Sequence, residues 1–143
     1  MDRNSAEIWE VIRAVVETGR EDDVVDLKSE WYDLSSRLGK AEFLKDICAM
    51  ANPLRKPYDA KWGYIVCGVL DAKHRAECTN AADYVKGVQP SPVNELNERI
   101  GQLVDEYIDP YIEVRYVELE HPDVHAILGV LEIRGCWDDR PYI

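Results

Sequence analysis

Near the middle of the chain, Tyr64-Ile65-Val66-Cys67-Gly68-Val69-Leu70 runs for seven residues without a charge. A run this short and this rich in β-branched residues reads as a central strand covered on both faces. Asp71 sits at its C-terminal end. A strand of that kind needs neighbours on its edges and helices or sheet over its faces, so the remaining segments must supply them.

Three segments have helical spacing. Residues 5–18 place Ile8, Ile12, Val15 and Val16 on one face, with Asn4 or Ser5 to cap the start and Gly19 to end it. Residues 40–52 carry a stripe of Phe43, Leu44, Ile47, Cys48 and Ala51, stopped by Pro53. Residues 92–108 repeat Val93, Leu96, Ile100, Leu103, Val104 and Tyr107, with Ser91 as the expected N-cap and Pro92 in the first helical position.

Strand patterns fill most of the rest. Residues 24–28 alternate, with Val25 and Leu27 on one face and Val24, Asp26 and Lys28 on the other. Residues 111–119 and 124–133 form an expected hairpin around His121-Pro122-Asp123, which puts His121 and His125 on its surface. Residues 72–90 read as polar and irregular. The order α-β-α-β-α-β-β predicts an α+β domain, a mixed and mainly antiparallel sheet with helices packed on it. A length of 143 residues predicts one domain over 1–143.

Composition excludes several functions. No apolar stretch approaches the ~20 residues of a membrane helix. A net charge of −11 excludes a uniformly basic nucleic-acid glove. The four cysteines, Cys48, Cys67, Cys78 and Cys136, form no C-x-x-C pair, so neither a zinc knuckle nor a thioredoxin-like centre is expected. Reduced thiols and the absence of a basic-then-apolar leader predict a cytoplasmic protein. Nucleotide-binding glycine loops and a serine-hydrolase elbow are also missing from the sequence.

Two constellations could carry chemistry. Glu21 and Asp26 bracket the start of the first strand, and Asp71 leaves the end of the central one. If those strands pair, three carboxylates converge, and crowded carboxylates either take up a proton or bind a cation. A hard divalent ion, Mg²⁺ or Mn²⁺, suits such oxygens and can steady charge on a phosphate in flight. Lys28, on the face of Asp26, would contact that phosphate. Solvated surface acids are the plainer reading in a chain with 28 of them.

The second constellation is a charge reversal. Residues 55–75 hold five basic residues (Arg55, Lys56, Lys61, Lys73, Arg75) against two acidic ones, net +3, while the remainder carries 12 basic and 26 acidic, net −14. Tyr58 and Trp62 lie among these cations and could stack on bases. An ordinary solvated loop with Trp62 tucked against the core is the alternative.

Several stretches resemble the Schlafen AlbA-type (AlbA_2) family. Val25-Asp26-Leu27-Lys28 is similar to its acid-apolar-Lys strand, and Ala49-Met50-Ala51-Asn52 to its Ala-x-Ala-Asn helix end. Gly63 through Gly68-Val69-Leu70-Asp71 is similar to its strand ending in Gly-Val-x-Asp, and Leu96–Tyr107 and Arg140-Pro141-Tyr142 to its later helix and terminus. The resemblance covers roughly residues 7–143. It implies nucleic-acid binding and, as in some members, a metal-dependent endoribonuclease cutting structured RNA such as tRNA. Glu21, Asp26 and Asp71 occupy the places of its three catalytic acids, with Asp26 one methylene shorter than the usual Glu. It also implies a homodimer supplying a second lobe, and a chain that ends where the family domain ends, as a piece of a longer protein would. The alternatives are a non-catalytic DNA- or RNA-binding regulatory module, or a dimerisation domain of a larger effector.

Overall fold

A computed structural model of the chain describes residues 4–22, 24–52, 62–75, 80–109 and 112–134. In chain order it forms α1 (Ser5–Thr18), β1 (Val25–Lys28), α2 (Arg37–Ala51), β2 (Trp62–Cys67), α3 (Ala72–Arg75), α4 (Ala81–Tyr84), α5 (Val93–Tyr107), β3 (Glu113–Glu120) and β4 (Ile127–Arg134). The strands make one four-stranded sheet in the order β1-β2-β4-β3. It is open, mixed and mostly antiparallel, and the fold is α+β. Strands β2 and β4 are central, and both are buried along nearly their whole length. That explains the continuous apolar run at 64–70, since a strand with cover on both faces gains nothing from alternation.

The residues group into two compact units. The first comprises Met1–Trp31, Ile65–Pro90 and Val117–Val130; the second comprises Tyr32–Tyr64, Ser91–Tyr116 and Leu131–Ile143.

In the first unit, α1 begins where expected: the Asn4 side chain accepts from the Glu7 backbone N–H at 2.9 Å. Its apolar face, Ile8, Ile12, Val15 and Val16, is buried. It ends at Gly19, whose φ of 73° is the left-handed conformation that closes a helix C-terminus. A side chain at Gly19 would collide with the Arg75 guanidinium and the Ala72 backbone, so glycine is required twice over. In β1, Val25 and Leu27 are buried while Asp26 and Lys28 are partly exposed, the predicted two faces. Residues 72–90 depart from expectation: they contain the short helices α3 and α4, and Val85 bridges back to Val69. Their apolar anchors, Tyr84 and Val85, are too few to produce a periodic pattern.

His121 also departs from expectation. It is 3% exposed, not a surface residue. Its ring meets Trp9 edge to face at 5.4 Å between centroids, and its Nδ1 accepts from the Asp123 N–H at 3.1 Å. His125 is exposed, as the hairpin reading expected.

In the second unit, α2 starts three residues earlier than its apolar stripe suggests. Ser36 caps it by accepting from the Gly39 N–H at 2.9 Å. Gly39 lies so close to the Asp33 carbonyl that no side chain fits. Phe43 packs edge-on to Tyr32, whose hydroxyl donates to Asp46 at 2.7 Å. Helix α5 starts at Val93 with Pro92 as its N-cap and no side-chain cap bond, so Ser91 does not take that place. Asn97 of α5 accepts from the Tyr116 N–H at 2.7 Å and donates to the Tyr116 carbonyl at 2.8 Å. Because β3 is an edge strand, this amide occupies both polar groups of Tyr116 as a further strand would.

Candidate active site

The first unit gathers chemistry around the C-terminus of α1. Asp22 forms a turn in which its Oδ1 accepts from the Val24 and Val25 N–H groups at 2.9 and 2.8 Å. This turn folds Glu21 back toward β1. The Glu21 carboxyl reaches the Asp26 carboxyl within hydrogen-bonding distance and also accepts from the Leu27 backbone N–H. On the far side, the Lys28 carbonyl accepts from Gly68 at 2.7 Å and from Val69 at 3.1 Å, which brings the end of β2 beside the end of β1. The chain then turns through Asp71, and the Ala72 N–H donates to the Gly19 carbonyl at 2.9 Å. Glu21 and Asp71 thereby face one open depression of about 260 Å³, lined also by Gly19, Arg20, Ala72 and Lys73.

The two carboxyl groups at its rim have opposite environments. Partial desolvation raises Glu21 to a pKa of about 7, helped by the hydrogen bond and the charge of Asp26 and, more weakly, by the charge of Asp71. Near neutral pH the Glu21 carboxyl is therefore only partly ionised. Asp71 is shifted downward, chiefly by its hydrogen bond to His74. That bond joins Asp71 Oδ1 to His74 Nδ1 at 2.6 Å, and the His74 backbone N–H adds another at 3.2 Å. The spacing of Asp71 and His74 across α3 is what joins them, a link not drawn from the sequence.

The predicted cations have different fates. Lys73 is exposed at the depression and Lys28 is partly exposed on the Asp26 face of β1. Arg75 is not a surface contact for nucleic acid. It is 6% exposed, and its guanidinium donates to the carbonyls of Leu70 (2.8 Å), Glu17 (2.8 Å) and Val16 (2.6 Å). The Tyr84 ring lies over it, with its centroid 3.9 Å from the guanidinium carbon. Arg75 thus closes the C-terminus of α1 and ties it to the strand end that carries Asp71. Arg55, Lys56 and Lys61 lie outside the described residues.

No group of three or more His, Cys, Asp or Glu side chains among the described residues is arranged to hold a metal ion. What the site offers is two adjoining carboxyl groups, Glu21 and Asp26, with a third, Asp71, engaged by a histidine.

The raised pKa has a consequence for stability. Between pH 4.5, the ordinary value, and about 7, the folded protein keeps a proton on Glu21 that the unfolded chain has released. The folded state binds more protons, so in this window stability falls as pH rises, and the penalty is complete above pH 7. Thermal melts in EDTA should show this decline in the native protein and a flatter profile in Glu21→Gln. Equal slopes would mean that the Glu21 carboxyl is not raised in the folded protein.

Among the described residues no helix is long and apolar enough to cross a membrane. A family model described as Schlafen, AlbA_2 matches residues 21–140, which includes every acid of the rim. Searches of curated proteins and of solved structures returned no match. With the match spanning most of its length, the chain belongs to the Schlafen AlbA_2 family, a nucleic-acid-related family.

Proposed function

We propose that this domain is a metal-dependent endoribonuclease acting on structured RNA such as tRNA. One observation carries the reading: the Glu21 and Asp26 carboxyl groups lie within hydrogen-bonding distance of each other, beside a depression that Glu21 and Asp71 both line. Two such carboxyl groups are a fit for a hard divalent ion, because Mg²⁺ is commonly held by one or two carboxylates together with waters and substrate phosphate. Glu21 and Asp26 would hold the Mg²⁺ or Mn²⁺, and Asp71 would join them on leaving His74. When bound, the ion would supply Lewis-acid stabilisation of a phosphoryl group under attack by water or by an RNA 2′-hydroxyl.

The chain's own part is to hold two acids together and to place cations nearby. The Asp22 turn and the Arg75 clasp fix the two backbone segments. Lys73 at the depression and Lys28 on β1 would meet the RNA backbone as point charges. Incubation of the protein with total tRNA, Mn²⁺ and graded EDTA tests the proposal: cleavage that stops on chelation and returns with excess Mn²⁺ supports it. Intact tRNA in every arm overturns it.

A second reading is favoured by one contact, the 2.6 Å bond that commits Asp71 to His74. On this reading the domain is a non-catalytic DNA- or RNA-binding module. Binding would then persist unchanged in EDTA, and neutralising Arg55, Lys56 and Lys61 would weaken it and flatten its salt dependence.

A further inference from the structure

We propose that the depression at the end of α1 is a clamp for a single backbone phosphate of the bound nucleic acid, closed by Arg20 on one side and Lys73 on the other. This rests on the nucleic-acid reading above but not on catalysis. Two chain segments are stapled together here, because the Ala72 N–H donates to the Gly19 carbonyl at 2.9 Å. Each segment brings one acid and one cation to the depression: Glu21 with Arg20, and Asp71 with Lys73. The backbone under both cations is fixed. Gly19 is enclosed by the Arg75 guanidinium and the Ala72 backbone, and the Arg20 N–H donates to Thr18 Oγ1 at 3.2 Å. The Lys73 backbone N–H donates to the Asp71 carboxylate.

The two side chains themselves are uncommitted. Both are exposed, and neither is in a hydrogen bond or ion pair with a described residue. Neighbouring arginines differ: Arg13 is paired with Glu17 at 3.0 Å, and Arg75 is buried against three carbonyls. The space of about 260 Å³ is smaller than the roughly 300–1,000 Å³ of pockets that enclose a drug-sized molecule, so it suits one chemical group and not a whole nucleotide. A phosphate fits these two cations. The planar guanidinium takes two of its oxygens in a fork, and the ammonium meets the group from the other side as a point charge. A carboxylate has only two oxygens and would satisfy Arg20 alone. Glu21 and Asp71 then stay outside the clamp, beside the phosphate.

The test is fluorescence anisotropy in EDTA with the intact chain and labelled, unstructured ten-nucleotide RNAs of two sequences, between 50 and 200 mM salt. Arg20→Ala should weaken binding by about tenfold, the scale of one charge-assisted hydrogen bond, and equally for both RNAs, because phosphate carries no sequence. Arg20→Ala and Lys73→Ala should each flatten the salt slope by about 0.7–1. The double variant should be no flatter than either single one, since one phosphate is lost only once. Its loss of affinity should fall short of the product of the single losses by about threefold or more. Arg20→Lys, which keeps the charge and loses the fork, should keep the native slope and recover less than half of the lost affinity. Arg13→Ala, whose cation Glu17 already holds, should bind within about twofold of the native protein. Melting curves identify any variant whose fold is damaged.

Fully additive losses, with the double variant flattened by about 1.4–2, would mean two independent contacts and overturn the clamp. Native-like binding by folded Arg20→Ala, or a loss confined to one RNA sequence, would overturn it too. In each case nucleic-acid binding itself would stand. Absence of all binding at 50 mM salt would remove the nucleic-acid reading and the clamp with it. Coupled losses in EDTA alongside tRNA left intact in Mn²⁺ would support the clamp and remove the nuclease alone.

Discussion

Asp26→Asn is expected to lower Mn²⁺-dependent tRNA cleavage by at least about 10²-fold, the scale on which metal sites respond even to loss of an outer partner. The same substitution should leave the protein as stable as before, or more so, above pH 7. The reason is the geometry at Glu21. Its carboxyl is raised by partial desolvation, then by the hydrogen bond and charge of Asp26. Asparagine keeps nearly the same shape but removes the negative charge, so Glu21 moves back toward its ordinary range and ionises with less penalty. A variant that loses activity by unfolding would melt earlier; one that loses it by breaking a metal site would not. Cleavage rates and melting temperatures at pH 8, the melts in EDTA, separate the two. A folded Asp26→Asn protein that still cuts tRNA at the native rate would end the metal reading.

The fold was legible where burial imposes a period or a run. The 64–70 segment announced a central strand because nothing solvent-facing interrupts it, and β1 showed its two faces because only one is covered. Gly19 and Asn4 marked the ends of α1 because their roles depend on local backbone geometry. The start of α2 was hidden because Ser36 caps it ahead of the first buried stripe residue, and Arg37 and Leu38 are exposed. Helices α3 and α4 span four residues each, too short for any periodicity. At the site, the proximity of Glu21 and Asp26 was readable from their bracketing of one strand. Three side chains were misjudged or underrated because their partners are remote in sequence or supplied by backbone. Arg75 reaches carbonyls 58 and 59 residues away, and His121 is covered by Trp9. Trp62 meets Arg134 only because β2 and β4 are neighbours, an adjacency no local pattern encodes.

Arg75→Ala should cost about 3 kcal/mol or more and lower the melting temperature by about 10 °C, making it a defect of folding and not of RNA contact. The substitution deprives the Leu70, Glu17 and Val16 carbonyls of a charged donor at 2.6–2.8 Å, in a place where the side chain is only 6% exposed. Two of those carbonyls belong to the last turn of α1, where no intrahelical donor is available. It also opens a void under the Tyr84 ring. Arg75→Lys retains the charge but replaces a planar fork with a single point, so it should recover less than half of the loss. The site would suffer with the fold, because the same guanidinium joins the helix end preceding Glu21 to the strand end preceding Asp71. A comparison with Lys73, exposed at the depression, separates the two kinds of cation. Lys73→Ala should leave the melting temperature within about 1 °C, and reduce the salt slope of RNA binding by roughly 0.7–1, the value of one phosphate contact. Folded Arg75→Lys should leave that slope unchanged. A normal melting temperature for Arg75→Ala, together with a flattened salt slope, would return Arg75 to the surface and sever the proposed link between the end of α1 and Asp71.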